Sequence, residues 1–425
     1  MAETNDNALV KAATTNCVVV GGGPAGVMLS YLLARAGVPV TLLESHRDFE
    51  RDFRGDTVHP STLEAIDALG LSEKLHALPH GKMRVFRIHT PEGERRMADF
   101  GRVRTKFPYI MMMRQARFLD FLAAEAARYP AFKLVRGATV QRLVEENGVV
   151  LGVRYHDLEN RWHEVRAPLT VAADGRHSKV RALVGFEPQK SSPPMDVLWT
   201  HLPKDPSDAM DVNFFLGGGH IVILIDRGDT WMVAYVLLKG SHQAIRSAGI
   251  GELVRQLSEI IPAWKDRFAK HLTDWTKCPV LVVESSRIPV WHKPGLLLIG
   301  DAAHVMSPVM GVGINYAIYD AIETANQLAG KLKTGTVTDA DLAAVQKARE
   351  WPVKVIQLVQ KTIQNQVIAA GLKQGAAFRL PLAARLLAGT PGLRWILPTI
   401  IGWGVRPARV KAVAESPGKR VPRGR

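Results

Sequence analysis

The sequence predicts a mixed α/β fold built from a parallel βαβ-type layer, an antiparallel sheet inserted into it, and a C-terminal helical segment. Three observations carry that prediction. An apolar run at residues 17–20 enters Gly21-Gly22-Gly23-Pro24-Ala25-Gly26, a helix-patterned stretch at 27–35 and a second strand-like run at 38–44. Residues 195–202, 213–216, 220–225 and 231–238 alternate apolar with polar positions and are rich in aromatics, the texture of antiparallel strands. From Ile314 onward the apolar spacing is helical, with a linker at 333–338.

The first element is the most specific. Gly21 allows a tight turn, Gly23 lets a pyrophosphate approach the backbone, and Gly26 lets helix and strand pack closely, which makes the unit Rossmann-like. Pro24 and Ala25 open the helix, whose free N–H groups and positive dipole end face an anion. Glu44 closes the second strand, where an acid accepts hydrogen bonds from a ribose diol. A helix follows at 61–69, ended by Gly70, then short strands around 83–89 and a long helix at 118–128. Strands at 133–135, 140–145, 149–155 and 169–173 lead to Asp174-Gly175, and a strand before Gly300-Asp301 returns the chain to a second Gly-Asp turn.

Length and composition narrow the classes. A chain of 425 residues with 47% hydrophobic and 22% charged residues is globular and long enough for more than one domain. Two cysteines, Cys17 and Cys278, in no CxxC pair support neither a disulfide framework nor a cysteine zinc site, and a reducing cytoplasm is the expected setting. No HExxH or carboxylate-flanked histidine pair appears, so no metal is expected. Residues 1–16 lack a secretory pattern, and no apolar run is long enough to span a bilayer. Residues 361–425 hold twelve Lys or Arg against the single acid Glu415, so most of the formal +15 lies at the C-terminus. No zinc finger or RNP-type strand accompanies that charge, and nucleic acid is not an expected partner.

Three ordered motifs, Gly21 to Gly26 with Glu44, Asp174-Gly175-Arg176-His177-Ser178-Lys179-Val180-Arg181, and Gly300-Asp301-Ala302-Ala303-His304 continuing to Pro308 and Gly311-Val312-Gly313-Ile314-Asn315, resemble the class A flavin monooxygenases of the 4-hydroxybenzoate hydroxylase type. The resemblance implies non-covalent FAD, with NAD(P)H as co-substrate and no second GxGxxG unit for the nicotinamide. It implies that Asp301 meets the ribityl chain, that Pro308 to Asn315 bring a helix N-terminus to the flavin's pyrimidine edge, and that Asp174 and Gly175 touch the pyrophosphate and the nicotinamide. Arg54, Arg114 and Gln115 are further expected cofactor contacts, since arginine recognises phosphate bidentately. Val312 stands where the family usually has Gln.

The implied activity is hydroxylation of an aromatic or similarly activated small molecule by O2 through a flavin C4a-hydroperoxide. The division expected is a flexible 1–15; a discontinuous FAD-binding domain at 16–80, 105–190 and 280–335; a substrate-binding domain at 81–104 and 191–279; and a basic helical extension at 336–425. Val197, Trp199 and His201 share one face of their strand, and Trp231, Val233, Tyr235 and Leu237 one face of theirs, with the face turned to the flavin left open. His201, His220 and Tyr235 are the candidates for assisting a phenol, and a structural role for each stays open. The alternatives are a flavin reductase or dehydrogenase of a lipid or polyprenyl substrate and, outside enzymes, a basic nucleic-acid-binding protein. A halogenase is disfavoured because WxWxIP is absent. The C-terminal segment, with arginines interleaved among apolar residues at 378–405, admits a peripheral membrane contact or a helical cap on the flavin domain; a homodimer also stays open.

Overall fold

A computed structural model describes residues 11–50, 56–208, 212–372, 390 and 395–411. Its organising layer is a six-stranded sheet in the order His292–Lys293, Leu296–Leu298, Leu169–Ala172, Cys17–Val20, Val40–Glu44, Phe132–Arg136. All pairings are parallel except the His292–Lys293 edge, and the central strands are fully buried, as parallel strands covered on both faces must be. Helix Pro24–Arg35 buries nearly all its residues between this sheet and the 22-residue helix Gly313–Thr334. Proline at the start of the first helix needs no donor there and is pre-set for helical φ.

A seven-stranded sheet forms the second layer, in the order Val280–Leu281, Met195–Pro203, Thr230–Leu238, His220–Asp226, Val212–Gly217, Val85–Thr90, Gly93–Asp99. It is antiparallel apart from one parallel pairing, Val212–Gly217 with Val85–Thr90, which joins chain segments more than a hundred residues apart. Helices Ile250–Ile260 and Lys265–His271 cover one face, burying Leu253, Leu257 and Phe268 against Leu198, Val222, Val233 and Tyr235. The other face carries Val197, Ile221, Ala234 and Val236, with Trp199, Phe214 and Ile223 partly buried, and it packs toward Val309 in the loop after the second Gly-Asp turn. Strand alternation places the two sets on opposite faces.

The N-terminus is ordered earlier than expected. Lys11–Thr14 pairs in parallel with Trp162–Arg166 in a four-stranded sheet, so the flexible lead expected through residue 15 is corrected to a strand from Lys11; residues 1–10 lie outside the described residues. Gly335, with φ +68, ends the Gly313 helix, and a capping box between Thr338 and Asp341 starts helix Asp339–Ile363, so a short connection stands where the linker was expected. Of the C-terminal segment, residues 373–389, 391–394 and 412–425 lie outside the described residues, whereas helix Ile396–Gly402 folds back on the protein, burying Pro398, Ile401 and Gly402, with Ile401 in the cluster around Phe100. No helix among the described residues is long and apolar enough to cross a membrane.

Candidate active site

The three motifs meet at one end of the parallel sheet. A Cβ on Gly21, where φ is +101, would lie 2.5 Å from the Ala173 carbonyl oxygen and 2.6 Å from the Asp174 Cα, so the first and second motifs are in backbone contact. Gly300, with φ +59, has the Cβ of Ala25 only 3.2 Å from where its own would be, which joins the third motif to the first. Arg181 closes the triangle, donating from Nη1 to the Ala302 carbonyl at 2.9 Å and from Nη2 to the Arg176 carbonyl at 2.8 Å.

Within the first motif the glycines divide by role. On Gly26 a Cβ would fall 1.9 Å from the Gly21 carbonyl, so helix and turn touch there and no side chain fits. On Gly23, the residue preceding the helix, the nearest atom would be 3.9 Å away, leaving open space directly in front of a helix N-terminus with no side-chain cap. Glu44 is buried and accepts from the Gly22 N–H and the His46 N–H, each at 2.8 Å, which holds its carboxylate beside the turn.

In the second motif, Ser178 caps the short helix Lys179–Leu183, accepting from the Arg181 N–H at 2.9 Å, and Asp174 braces that cap. Its carboxylate accepts from the Ser178 hydroxyl at 2.5 Å and the Val180 N–H at 3.0 Å, and burial pushes its carboxyl up. Gly175, with φ +83, forms the turn itself, a conformation that favours glycine.

The third motif is the most elaborately supported. Asp301 is partly exposed and has no protein hydrogen-bond partner among the described residues. Behind it, Asp320 on the Gly313 helix is fully buried and accepts from the Gly300 N–H at 3.0 Å, His304 Nε2 at 2.6 Å and Arg349 Nε at 2.9 Å. Burial alone would push the Asp320 carboxyl up, but His304 and Arg349 outweigh it and hold it below the usual carboxylate range. The loop beyond is held by Gln360, whose amide donates to the carbonyls of Ser307 at 2.9 Å and Val309 at 2.8 Å.

The loop then turns through Pro308, Met310 at φ +69 and Gly311 at φ +63 into the Gly313 helix, which has no side-chain cap. Gly313 and Ile314 therefore present free N–H groups at its mouth. Asn315 is buried and its side chain is spent within the protein. Its Oδ1 accepts from the His59 N–H at 2.9 Å and the Thr62 hydroxyl at 2.7 Å, so it clamps helix Pro60–Ala68 to this helix, and only its backbone faces outward. Thr57 donates to the Gly311 carbonyl at 2.6 Å.

A strap of C-terminal residues completes this corner. His59 Nδ1 donates to the Ile401 carbonyl at 2.7 Å, Tyr316 accepts from the Val405 N–H at 3.1 Å, and Arg349 donates to the Arg406 carbonyl at 3.2 Å. Burial drops the His59 imidazole to about 4, so it is neutral at physiological pH.

The remaining candidates are scattered. Arg54 lies outside the described residues. Arg114 reaches Glu50 at 3.0 Å on the surface, and the Gln115 N–H donates to Asp56 at 3.2 Å. His220 and Tyr235 are hydrogen-bonded to each other on the helix-covered face, where Tyr235 also donates to Gln256 at 2.7 Å, and burial pushes the phenol up. They stand on the helix-covered face, opposite the face that packs toward Val309. His201 sits at a strand end with its ring 3.2 Å from Arg227 Nη1; Arg227 Nε in turn lies 2.7 Å from the buried Asp56, a cross-tie between the two layers. Asp56 is raised to about 6 by burial, against the opposing charge of Arg227.

Sequence reasoning missed Asp320, Arg349, His59 and Gln360. One signal was available: Leu342, Val345, Arg349, Val353 and Ile356 follow one helical face, so Arg349 occupies a core position, and a buried arginine requires an anionic partner.

These features agree with comparisons to known proteins. The model of the FAD binding domain family matches residues 14–357. The 6-methylpretetramide 4-monooxygenase of Streptomyces rimosus is 30% identical over 401 residues, covering 94% of this chain and 95% of the relative. Among solved structures, p-nitrophenol 4-monooxygenase PnpA of Pseudomonas putida DLL-E4 superposes with a TM-score of 0.73 at 20% identity, over 91% of this chain and 97% of that one. OxyS anhydrotetracycline hydroxylase of Streptomyces rimosus gives 0.70 at 22% identity, over 92% and 76%. The chain belongs to the FAD-binding-domain family, among its FAD-dependent aromatic monooxygenases.

Proposed function

We propose that this protein hydroxylates an electron-rich aromatic compound, with FAD as its bound cofactor, a reduced nicotinamide as electron donor and O2 as oxidant. The observation that carries the reading is the convergence of an open, glycine-lined helix N-terminus at Gly23, an Asp301 with no protein partner among the described residues and a second uncapped helix N-terminus at Gly313, under an apolar sheet face. FAD supplies the oxygen-activating chemistry when bound. The chain's own residues hold and enclose it. Gly21, Gly23, Pro24, Ala25 and Gly26 receive the pyrophosphate, and Glu44 the adenosine ribose. Gly300 and Asp301 hold the ribityl chain, while Gly311, Gly313, Ile314 and the Asn315 backbone present donors where negative charge develops on the pyrimidine edge. Asp174 and Gly175 shape the wall between the cofactor's phosphates and the solvent.

Trp199, Phe214 and Ile223 on the facing sheet would exclude water from the cofactor and give the substrate ring an apolar surface to lie against. The compound named for the Streptomyces rimosus relative, 6-methylpretetramide, is the first substrate to try, beside simple phenols. Oxygen uptake with reduced nicotinamide, read together with product mass, tests the reading. A product heavier by one oxygen, with oxygen uptake stimulated by substrate, is expected. Substrate reduction under strict anaerobiosis would replace this reading with a flavin reductase.

A further inference from the structure

The Asp339–Ile363 helix carries a surface that the flavin site does not use. Its inward face buries Leu342, Val345, Arg349, Val353 and Ile356. Its outward face should be polar on a helix of this kind. Instead it presents Lys347, Trp351, Lys354, Leu358 and Lys361 in one exposed stripe at helical spacing. Trp351 is 57% exposed and Leu358 65%, among the largest apolar exposures on the described chain. Lys354 pairs with Glu350 at 2.6 Å, and Lys347 and Lys361 make no ion pair among the described residues. An indole and a leucine flanked by lysines is the arrangement of a helix lying at a lipid interface, where the rings enter the headgroup layer and ammonium groups meet anionic headgroups.

We propose that this stripe docks the enzyme peripherally on an anionic lipid surface. Charge argues for that occupant over a second copy of the chain. A two-fold contact through the stripe would set lysines against lysines, because its one neighbouring acid, Glu350, is already engaged by Lys354. The excess of positive charge after Lys361 acts in the same direction as the stripe. In the Ile396–Gly402 region Ile401 clusters with Phe100 and Gly402 lies against Phe100 and Pro60, while the adjoining Trp395 is 53% exposed.

The test is co-sedimentation of the full-length, flavin-loaded protein with phosphatidylcholine vesicles and with mixed phosphatidylcholine/phosphatidylglycerol vesicles, at low and high salt. Binding is expected to the anionic vesicles alone, weakened by salt. The Trp351→Glu/Leu358→Glu variant should bind at least about tenfold more weakly, with unchanged flavin absorbance and thermal melt because both side chains are exposed. Lys347→Glu/Lys361→Glu should lose the salt-sensitive part. Absence of wild-type binding, or equal binding by the Trp351→Glu/Leu358→Glu protein, would overturn the assignment. So would a concentration-dependent dimer abolished by that variant without vesicle binding, or retention on duplex DNA with none on vesicles.

Discussion

Two turns of similar shape frame the candidate site, and they are stabilised in opposite ways. At the first, strand Cys17–Val20 passes through Gly21–Gly26 into a helix, and its supports are close contacts with little side-chain involvement: the Gly21 carbonyl against Gly26, Gly21 against the Ala173–Asp174 backbone, and Glu44 against Gly22. At the second, strand Leu296–Leu298 passes through Gly300–Val312 into the Gly313 helix, and its supports come from everywhere else. Thr57, His59, Asp320, Arg349, Gln360 and, through His59 and Arg349, the strap at 401–406 hold it. Close packing of glycines suffices for the first turn. The longer second loop is instead set by a network that ties the helices and residues 401–406 together.

The contrast is broken most severely at the contact with no room. Gly26→Val should yield no folded, flavin-containing protein, because its Cβ alone would overlap the Gly21 carbonyl at 1.9 Å. Gly23→Ala, with 3.9 Å to the nearest protein atom, should fold normally and lose flavin, as read by absorbance and thermal melting. Equal stability losses in the two would mean that the space before the helix is not a phosphate site.

At the second turn, Asp320→Ala leaves Arg349 buried without its carboxylate and should cost about 3–5 kcal/mol in urea unfolding. A loss within the range of a surface substitution, about 0.5 kcal/mol, would show that the network does not support the loop.

The strap contact has a pH signature. Because burial lowers His59 to about 4, the folded protein binds its proton less readily than the unfolded chain does. Its stabilising contribution is complete above the ordinary histidine range near pH 6.5 and is lost as pH falls toward 4, by about 3 kcal/mol in all. Asp56, raised to about 6, acts in the opposite sense over the same window, favouring the folded state as it gains a proton. The wild-type curve alone therefore hides both. Urea unfolding of wild type and His59→Gln from pH 7 to 4 separates them: the stability advantage of wild type should shrink on acidification, and a constant difference would refute the assignment.

The smallest stability effect is expected where the fold leaves a carboxylate free. Asp301→Ala should change unfolding by no more than about 0.5 kcal/mol while weakening FAD binding at least about tenfold, or 1.4 kcal/mol, in fluorescence titration of the apoprotein. Unchanged affinity would remove Asp301 from the cofactor site.

The first turn was legible because its logic is contained in about thirty residues. Gly21, Gly23, Gly26 and Glu44 act through spacing along one strand, one helix and the next strand, and spacing is what a sequence displays. The helix expected at 61–69 was found as Pro60–Ala68, and the long helix expected at 118–128 as Gln115–Ala126, displaced at its start because the Gln115 N–H finds Asp56 across the fold. Alternation showed that Val197, Trp199 and His201 share a face and that Tyr235 lies on another strand's apolar face, but a strand's period does not say which face meets which layer. That choice was made when helices Ile250–Ile260 and Lys265–His271 settled over Tyr235.

By itself, then, the sequence determined the class of fold, the family and the position of the glycine-lined turn before the first helix, because backbone conformation and close approach restrict residue types at short range. Tertiary structure alone decided that Asn315 would be consumed as a clamp, that Asp320 rather than Asp301 would carry the buried charge, and that Ile401 would return to His59. Those outcomes depend on partners that lie from 16 to 342 residues away along the chain, and a buried charge or polar group is stable only beside the partner that the folded chain brings to it.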